Sequence, residues 1–322
     1  MTATLAPPGL LQPKLRHAIR HGLSTRPLSL PVECLYDPLG SALFDAITRL
    51  PEYGLSRAER RLLERHSHVL AQWLPTPLSV VELGSGTGAT TAILLDGLAR
   101  RGRVCYRPVD ISAAALADCK RRVEGIKGVD VSPFEGSHRD GLAHASQGRT
   151  PGTSLLVLFL GSSIGNLERD EVRPFLSELR SFLRPGDALL LGADLVKPEA
   201  LLLAAYDDPL GLTAAFNRNA LARVNRELDA EFDPRAFQHR AIYDPLARRV
   251  EMHLVSEEPQ CVEIGALGMR LMLAPGETIH TESSHKFQHG ELAAIGRCSG
   301  FVSVVEWDDA EWPFSLNLLV AD

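Results

Sequence analysis

The residues best suited to do chemistry in this sequence are glycines that follow a short apolar run. Residues 80–83 are typical of a buried strand, Gly84, Gly86 and Gly88 alternate after it, and a helical pattern begins at Thr90. A strand, a glycine turn and a helix in succession bring backbone N–H groups and a helix N-terminus up to a nucleotide-like ligand. Glycine suits this turn because it allows positive φ and has no Cβ to block the ligand.

Two acidic residues near the glycines help to indicate which ligand the turn holds. Glu82 lies two residues before Gly84, and Asp110 ends the next apolar stretch, Val104–Asp110. A carboxylate there can accept hydrogen bonds from both hydroxyls of a ribose. Dinucleotide-binding enzymes use an acid about 20 residues downstream in the same way, so Asp110 does not distinguish a dinucleotide from another nucleoside ligand. A glycine-rich turn without any ligand is the third alternative.

The elements around this turn alternate between strands and helices. This alternation predicts an α/β fold with a parallel, doubly wound sheet, whose ligands bind at the carboxyl ends of the strands. The predicted strands are 80–83, Val104–Asp110, 129–134, 155–160 and 188–191, and the helices between them include Ala113–Val123 and 170–183.

After Asp194 the pattern changes to that of a second, smaller α+β unit. The predicted elements are helices 198–206 and 213–228, a hairpin of strands 238–243 and Arg249–Ser256, strands 262–264 and Met269–Leu273, a returning segment 278–287, a helix 290–298 and a closing antiparallel pair, 301–307 and 314–320. We therefore assign 61–194 and 286–322 to the ligand-binding domain. Residues 14–60 and 195–285 are assigned to a substrate-binding domain that forms a lid.

The N-terminal region carries three local signals. Three prolines predict a loose arm over residues 1–13, and a short helix is expected over 14–22. The sequence Tyr36-Asp-Pro-Leu-Gly-Ser41 predicts a turn, because Asp-Pro and Gly punctuate it. Ser56 and Glu59 have the spacing of a capping box, in which the two side chains satisfy free N–H groups at a helix start.

Composition restricts the classes of function. The chain has 322 residues, a net charge of −6 and a pI near 6.0, which argue against nucleic acid or an anionic membrane as partner. Five cysteines without a CxxC pair fit a reducing compartment, and eleven histidines without an HxH or HExxH pair predict no metal site. We see no leader pattern in residues 1–11. We therefore expect a monomer in the cytoplasm that acts on a small molecule.

Longer motifs connect the chain to a known family. The spacing Glu82-x-Gly84-x-Gly86-x-Gly88 resembles motif I of the class I S-adenosylmethionine-dependent methyltransferases. Nearly the whole chain resembles the histidine-specific Nα-methyltransferases of ergothioneine biosynthesis. The resemblance is densest at 36–41, 44–53, 82–87, 159–166, 204–208, 213–219, 249–252 and 281–287. Separate motifs in one order are more specific than a single glycine turn.

The resemblance implies a function and a cofactor. The enzyme is expected to methylate the α-amine of L-histidine with S-adenosylmethionine, in three successive transfers that give Nα,Nα,Nα-trimethylhistidine (hercynine). The fold implied is the class I Rossmann-like sheet with its antiparallel pair at one edge. The residues assigned to the cofactor are Glu82, Gly84, Gly86, Asp110 and Gly161.

The resemblance also implies a substrate site. Tyr53, Asn166 and Tyr206 would hold the α-carboxylate and the amine of histidine. Glu282 and Ser284 would face the imidazole, together with Tyr36, and Met252 would line the pocket. Tyr36 is the expected catalytic residue, because it can orient the amine or a nearby water, and no role as a base is assigned to it. A carboxylate and a hydroxyl match the two ring nitrogens of imidazole.

Three positions depart from the family, and three rival functions stay open. Thr90 stands where we expect a lysine, Ser137-His138 where Asp-Phe usually meets adenine, and Gly54 where a second tyrosine follows Tyr53. The rivals are an N-methyltransferase for another amino acid such as tryptophan, an NAD(P)-linked dehydrogenase, and a non-catalytic S-adenosylmethionine-binding regulator. Tryptophan fits less well, because its indole offers one donor and needs more apolar room. The lid is expected at 205–219.

Overall fold

The chain divides into two units in the structure, a computed structural model that describes residues 13–322. The predicted arm therefore lies, except for Pro13, outside the described residues. The large unit comprises Thr48–Leu201, Pro245–Arg249 and Ser284–Asp322. The small unit comprises 13–47 of the described residues, Leu202–Asp244 and Val250–Ser283. The assignment of the predicted domains to cofactor and substrate stays a prediction.

Helices and strands alternate through most of the described chain. The α-helices are α1 (Pro13–Ser24), α2 (Pro38–Ile47), α3 (Leu55–Trp73), α4 (Thr91–Ala99), α5 (Ala113–Val123), α6 (His138–Gln147), α7 (Arg169–Ser181), α8 (Glu199–Tyr206), α9 (Leu212–Leu228) and α10 (Glu291–Arg297). The strands are β1 (Leu28–Ser29), β2 (Leu78–Leu83), β3 (Val104–Asp110), β4 (Val129–Val131), β5 (Phe134–Glu135), β6 (Ser154–Phe159), β7 (Ala188–Asp194), β8 (Phe237–Asp244), β9 (Arg249–Ser256), β10 (Gln260–Ile264), β11 (Met269–Leu273), β12 (Thr278–His285), β13 (Phe301–Asp308) and β14 (Phe314–Ala321).

The large unit is built on an eight-stranded sheet. Seven strands follow the order β13-β14-β7-β6-β2-β3-β4, and β5 pairs with β3. The strands from β7 to β4 are parallel, whereas β14 runs antiparallel to β7 and to β13. This is the doubly wound sheet with an antiparallel edge pair that we expected for a class I methyltransferase, and the predicted fold is confirmed.

The central strands form because they are mostly apolar runs that the sheet buries on both faces. All six residues of β2 are buried, and Val81, Val157 and Leu189 from three adjacent strands belong to one core cluster. Parallel strands covered by helices on both faces read as such runs. The prediction of one strand over 129–134 was wrong in extent: β4 and β5 are separated at Ser132-Pro133, since proline has no N–H for the ladder.

The small unit contains a four-stranded sheet and a separate hairpin. The sheet order is β1-β12-β9-β8, with β1 parallel to β12 in the register Leu28↔Ile279. The hairpin of β10 and β11 pairs antiparallel, from Gln260↔Leu273 to Ile264↔Met269. The predicted neighbours β8 and β9 are confirmed. Helices α2 and α9 pack together in this unit.

Two local predictions in the N-terminal region need correction. The turn expected over 36–41 is largely the start of α2, because Pro38 fits the first helical position and Asp37 Oδ1 accepts a hydrogen bond from Gly40 N at 2.7 Å. The capping box of Ser56 and Glu59 is absent. Helix α3 begins at Leu55 without a side-chain cap, and the Glu59 side chain is buried.

The cysteines and the apolar runs of the helices are two further features of the described residues. All five cysteines are free, as predicted. Among the described helices, none has an apolar run of the length that a membrane crossing requires.

Candidate active site

The glycine turn lies at the carboxyl end of the central strand β2. Gly84, Gly86 and Gly88 have φ of 72°, 51° and 66°, a region that side-chain-bearing residues rarely adopt. Gly84 N and Ser85 N both donate to Val109 O, at 2.8 and 3.1 Å, which ties the turn to the end of β3. A Cβ added to Gly86 would meet no atom within 4 Å, so the backbone here is open to a ligand.

Asp110 is held beside this open backbone. Its Oδ2 accepts a hydrogen bond from Gly86 N, and its Oδ1 accepts one from Ser112 N, both at 2.9 Å. Each carboxylate oxygen can accept two hydrogen bonds, so each keeps capacity for one ribose hydroxyl. The open turn and the fixed carboxylate fit the adenosyl group of S-adenosylmethionine.

The buried carboxyl group of Glu82 stabilises the glycine turn. Its Oε1 accepts a hydrogen bond from Thr91 Oγ1 and its Oε2 accepts one from Tyr106 OH, so the carboxyl group connects β2 with β3 and the first residue of α4. Burial raises the pKa of Glu82 to about 8. Its assignment as a direct cofactor ligand stays a prediction, and the contacts within the chain give it a structural role in the turn.

The loop after β6 carries Gly161 and Asn166 and is anchored by two residues distant in sequence. Gly161 N donates to Glu59 Oε1 at 2.7 Å, and Ser162 Oγ accepts a hydrogen bond from Asp194 N at 2.9 Å. Burial raises the pKa of Glu59 to about 7. Sequence reasoning assigned Glu59 to a helix cap and therefore missed this contact.

Two of the three departures from the family have structural explanations. Gly54 is required because a Cβ there would lie 2.1 Å from Cε3 of Trp312, whose indole takes the space of a larger side chain. Ser137 caps α6, since its Oγ accepts a hydrogen bond from Asp140 N at 3.2 Å. The structure offers no physical reason for threonine at position 90.

His138 lies next to the glycine turn. Its Nε2 would be 3.4 Å from a Cβ on Gly84, and its ring meets Phe159 edge-on at 5.5 Å. A small, mostly apolar cleft opens beside it, lined also by Leu83, Leu142, Phe175, Leu179, Phe182 and the charged Arg139 and Glu178. An aromatic ring and apolar walls next to an open backbone can hold a planar base. The sequence pointed to His138 because Ser137-His138 follows the predicted third strand, where the family usually has Asp-Phe.

The predicted substrate residues divide between the two units. Tyr53, Asn166 and Ser284 belong to the large unit, whereas Tyr36, Tyr206, Met252 and Glu282 belong to the small unit. Tyr53 and Ser284 are buried, and Asn166 is half-buried at the end of a 3-10 helix, Ser163–Asn166. Their common action on one substrate stays a prediction.

Tyr36 has a well-defined surrounding in the small unit. Its ring packs edge-on against Phe44 at 5.7 Å and against Phe216 at 5.4 Å. The next residue, Asp37, is buried and accepts hydrogen bonds from Asn219 Nδ2 at 2.7 Å and Arg226 Nη2 at 2.6 Å. Burial alone would raise the pKa of Asp37, but these bonds and the bond from Gly40 N lower it. The residue that follows Tyr36 is therefore held in place by hydrogen bonds to its side chain.

A hydrogen-bond network connects the other small-unit residues. Asn217 Nδ2 donates to His239 Nδ1 at 2.9 Å, which leaves His239 Nε2 to donate to Tyr206 O at 2.8 Å. Thr281 Oγ1 lies 2.6 Å from Asn217 Oδ1 and 3.0 Å from Met252 O. Burial lowers the pKa of His239, which favours the neutral ring that this pattern requires. Sequence reasoning did not single out Asn217 or His239.

One cluster among the described residues has the ligand types of a metal site. His289 Nδ1 lies 2.7 Å from Asp308 Oδ2 and 3.7 Å from Glu306 Oε1. His289 and Asp308 are exposed, and Glu306 accepts a hydrogen bond from Gly290 N. The expectation that the protein holds no metal stays a prediction.

Comparisons with known proteins agree on one family. A family model described as a histidine-specific, S-adenosylmethionine-dependent methyltransferase matches residues 15–321. The chain is 42% identical to the histidine N-alpha-methyltransferase of Mycobacterium tuberculosis (strain CDC 1551 / Oshkosh), over 94% of each chain. It is 41% identical to the protein of that name from Mycolicibacterium smegmatis, over 95% of this chain and 94% of the relative. Ergothioneine biosynthesis protein 1 of Neurospora crassa is 27% identical, over 87% of this chain and 32% of that protein.

Proposed function

Because this chain belongs to the family of histidine-specific, S-adenosylmethionine-dependent methyltransferases, we propose that it transfers three methyl groups in succession to the α-amine of L-histidine. The product is Nα,Nα,Nα-trimethylhistidine, and the proposed pathway is ergothioneine biosynthesis, which the name of the Neurospora relative supports. The enzyme is an S-adenosylmethionine-dependent N-methyltransferase with an amino acid as substrate. We further propose that it acts as a monomer in the cytoplasm.

The cofactor side of the proposal uses the turn and Asp110. Bound S-adenosylmethionine supplies a methyl group already activated on a positively charged sulfur. Asp110 would accept hydrogen bonds from the ribose hydroxyls of S-adenosylmethionine, and the open backbone at Gly86 would allow the cofactor to approach closely. His138 would lie against the adenine.

The observation that carries the substrate proposal is the composition of β12. Five consecutive polar residues of this strand, Thr281–His285, are each at most 8% exposed. Buried polar side chains are costly unless they have partners, so such a run favours a polar ligand or a dedicated network. Glu282 and Ser284 alternate along the strand and thus point to one face. A carboxylate and a hydroxyl at that spacing match an imidazole.

The residues of the chain then orient the amine. Tyr53, Asn166 and Tyr206 would hold the carboxylate and amine, and Tyr36 would direct the amine or a water molecule. Orientation of reactants contributes roughly 7–11 kcal/mol in favourable cases. A model α-amino group has a pKa of about 7.7–8.0, and that of a free amino acid is higher, so we propose that water takes the proton without a strong base.

Repeated transfer requires exchange of the cofactor product. We propose that residues 205–219, the end of α8 and the start of α9, open and close for this purpose. Asp208 stabilises the start of α9, because its Oδ1 accepts a hydrogen bond from Thr213 N at 2.7 Å and its Oδ2 accepts one from Leu212 N at 3.1 Å.

A competition assay tests the proposed function. The purified protein is incubated with S-adenosylmethionine and an equimolar mixture of the common amino acids, and the products are identified by mass spectrometry. Mono-, di- and trimethylhistidine alone are expected, with the trimethyl form as the end product. Methylation of tryptophan or another amino acid would leave the fold intact and overturn the pocket assignment. Accumulation of monomethylhistidine would contradict three transfers.

A further inference from the structure

A buried carboxyl group on helix α3 reaches the loop that carries Asn166. Glu59 is only 3% exposed, and its Oε1 accepts a hydrogen bond from Gly161 N at 2.7 Å. Within residues 13–322 this is its one hydrogen-bond partner, and no cation there is paired with it. An ionised carboxyl group that is buried without a cation weakens a fold. The acid at this position therefore favours a task other than stability.

Gly192 makes the room for this carboxyl group. A Cβ on Gly192 would lie 2.5 Å from Glu59 Oε1, closer than atoms can approach without a hydrogen bond. Gly192 belongs to β7, which is buried throughout and pairs with β6. Because β7 lacks a side chain at this point, the carboxyl group lies against the sheet and reaches the residue that follows the end of β6. The strand and the helix are thus both shaped for the contact with Gly161.

The peptide group between Leu160 and Gly161 is held on both sides. Its N–H donates to Glu59, and its carbonyl oxygen, Leu160 O, accepts hydrogen bonds from Ser163 N at 3.3 Å and Ser163 Oγ at 3.0 Å. The next residue, Ser162, has a φ of 58°, and its Oγ accepts a hydrogen bond from Asp194 N at 2.9 Å. A serine in the left-handed region persists only where its surroundings hold it.

Asn166 lies a short distance along the chain from this fixed peptide group. The segment between them is compact, since Gly165 N donates to Ser162 O at 2.8 Å and Asn166 ends the 3-10 helix. Beyond Asn166, Glu168 starts α7 with a capping box. All of these residues belong to the large unit. A displacement of Gly161 is therefore expected to be transmitted to Asn166 through a segment with little freedom to absorb it.

We propose that Glu59 is a positioning residue, whose acceptor oxygen holds Gly161 and thereby fixes where Asn166 meets the α-carboxylate and amine of the substrate. Glu59 acts through the loop and needs no contact with the substrate. A carboxylic acid, a carboxylate and an amide all offer an oxygen acceptor, so the hydrogen bond itself is the feature that matters. This inference rests on the proposed function, in which Asn166 holds that part of histidine.

The affinity for histidine in three variants tests the inference. Histidine is titrated calorimetrically into the enzyme saturated with S-adenosylhomocysteine. Glu59→Leu keeps a similar volume and removes the acceptor, so histidine is expected to bind about tenfold more weakly. Glu59→Gln keeps an oxygen acceptor for Gly161 N and should stay within about twofold of the wild type. Glu64→Leu, at an exposed position of the same helix, is the control and should have the wild-type affinity.

A double-mutant cycle with Asn166→Ala separates positioning from a merely structural role. If Glu59 acts through Asn166, adding Glu59→Leu to Asn166→Ala should change the affinity for histidine by less than about twofold. A merely structural role would lower stability and leave the effects of the two changes on affinity independent. Should Glu59→Leu not fold, Glu59→Asp takes its place, because its side chain is one methylene shorter and its oxygen falls short of Gly161 N.

Three results would overturn the inference. Wild-type affinity in the variant that lacks the acceptor would remove Glu59 from the substrate site. Equal weakening by glutamine and leucine would show that the acceptor is not what matters. A full tenfold effect of Glu59→Leu in the Asn166→Ala background would show that Glu59 does not act through Asn166. By contrast, wild-type affinity in Asn166→Ala alone would contradict the substrate site of the proposed function, and the single variant distinguishes that failure.

Discussion

At the scale of single residues, the cofactor end of the large sheet depends on carboxyl groups with different tasks. Asp110 is half-buried and held by two backbone N–H groups, which leaves it able to accept more hydrogen bonds. Glu59 and Glu82 are buried, and their contacts within the chain hold the loop after β6 and the glycine turn. Burial raises the pKa of both, to about 7 and about 8. These two groups should make stability depend on pH.

Glu59→Gln is expected to reduce the loss of stability that occurs as pH rises from about 4.5 to about 7. The folded-state pKa of Glu59 is raised from 4.5 to about 7, so its contribution is fully present below about pH 4.5 and is lost as pH rises through 7. The shift corresponds to roughly 3 kcal/mol in the free energy of unfolding. Over this pH range the stability of the variant relative to the wild type should rise by about that amount. Denaturant unfolding at several pH values measures the difference. The exposed Glu64→Gln on the same helix is the control, and a gap that does not change with pH would contradict the prediction.

Glu282→Ala combined with Met252→Val is expected to shift substrate preference toward aromatic amino acids. The change removes an acceptor for an imidazole N–H and enlarges an apolar wall. A site that hydrogen-bonds a polar side chain can reject apolar analogues by about 10⁴-fold or more, and most of that discrimination should disappear. Competing histidine and tryptophan in one reaction measures it. Unchanged histidine selectivity would count against the assigned pocket.

At the scale of elements, α9 holds three strands of the small unit in place. Asn217 on α9 reaches His239 on β8 and Thr281 on β12, and Thr281 in turn reaches Met252 O on β9. Three of the predicted substrate residues therefore sit on elements that share one buried network. Such a network is expected to fix their positions together, because buried polar groups lose much when one partner is removed.

Asn217→Leu should raise the KM for histidine about tenfold or more, with little change in the KM for S-adenosylmethionine. It leaves Thr281 and His239 without their amide partner, which costs roughly 1–3 kcal/mol for each buried group. The control is Asn225→Leu on the same helix, since Asn225 makes two hydrogen bonds with the backbone of Phe232. Both variants should lose stability. Equal effects of the two on the histidine KM would remove the positioning role of Asn217.

At the scale of the whole molecule, the two ends of the large sheet have different tasks. The carboxyl ends of the parallel strands carry the proposed cofactor residues, and the amino ends carry contacts that stabilise the fold. The glycine turn and Asp110 lie at the carboxyl ends of the parallel strands. At the amino ends, Asp187 precedes β7 and accepts hydrogen bonds from Arg149 Nη1 at 2.6 and 2.8 Å and from Leu155 N at 2.8 Å. Both charged side chains are nearly fully buried. Changes at that end should affect folding and leave binding intact.

Asp187→Asn should destabilise the protein by about 3–5 kcal/mol, because it leaves the buried Arg149 without its counter-charge. The exposed pair Arg103–Asp130 provides the matched control, and Asp130→Asn should cost about 0–1 kcal/mol. Denaturant unfolding gives both values. Titration with S-adenosylmethionine under native conditions should give the wild-type affinity for each folded variant. A tenfold loss of affinity in Asp187→Asn would show that the two ends are coupled.

The sequence by itself determined the features that depend on neighbouring residues. The order of strands and helices, the bounds of β3 and α5, and the need for glycine at positions 84, 86 and 88 all follow from local hydrogen bonding and from which faces must be buried. The family resemblance added the cofactor and the reaction. The cofactor and the family were then confirmed by the comparisons.

Only the tertiary structure decided which distant side chains meet. Glu59 and Gly161 are 102 positions apart, so the local pattern that predicted a capping box could not reveal their contact. The same holds for Trp312, which fills the space beside Gly54, and for Lys286, which meets both Asp194 and Ser284. Buried polar and charged groups need partners wherever the fold places them. The local periodicity of a sequence does not indicate which distant residues those partners are.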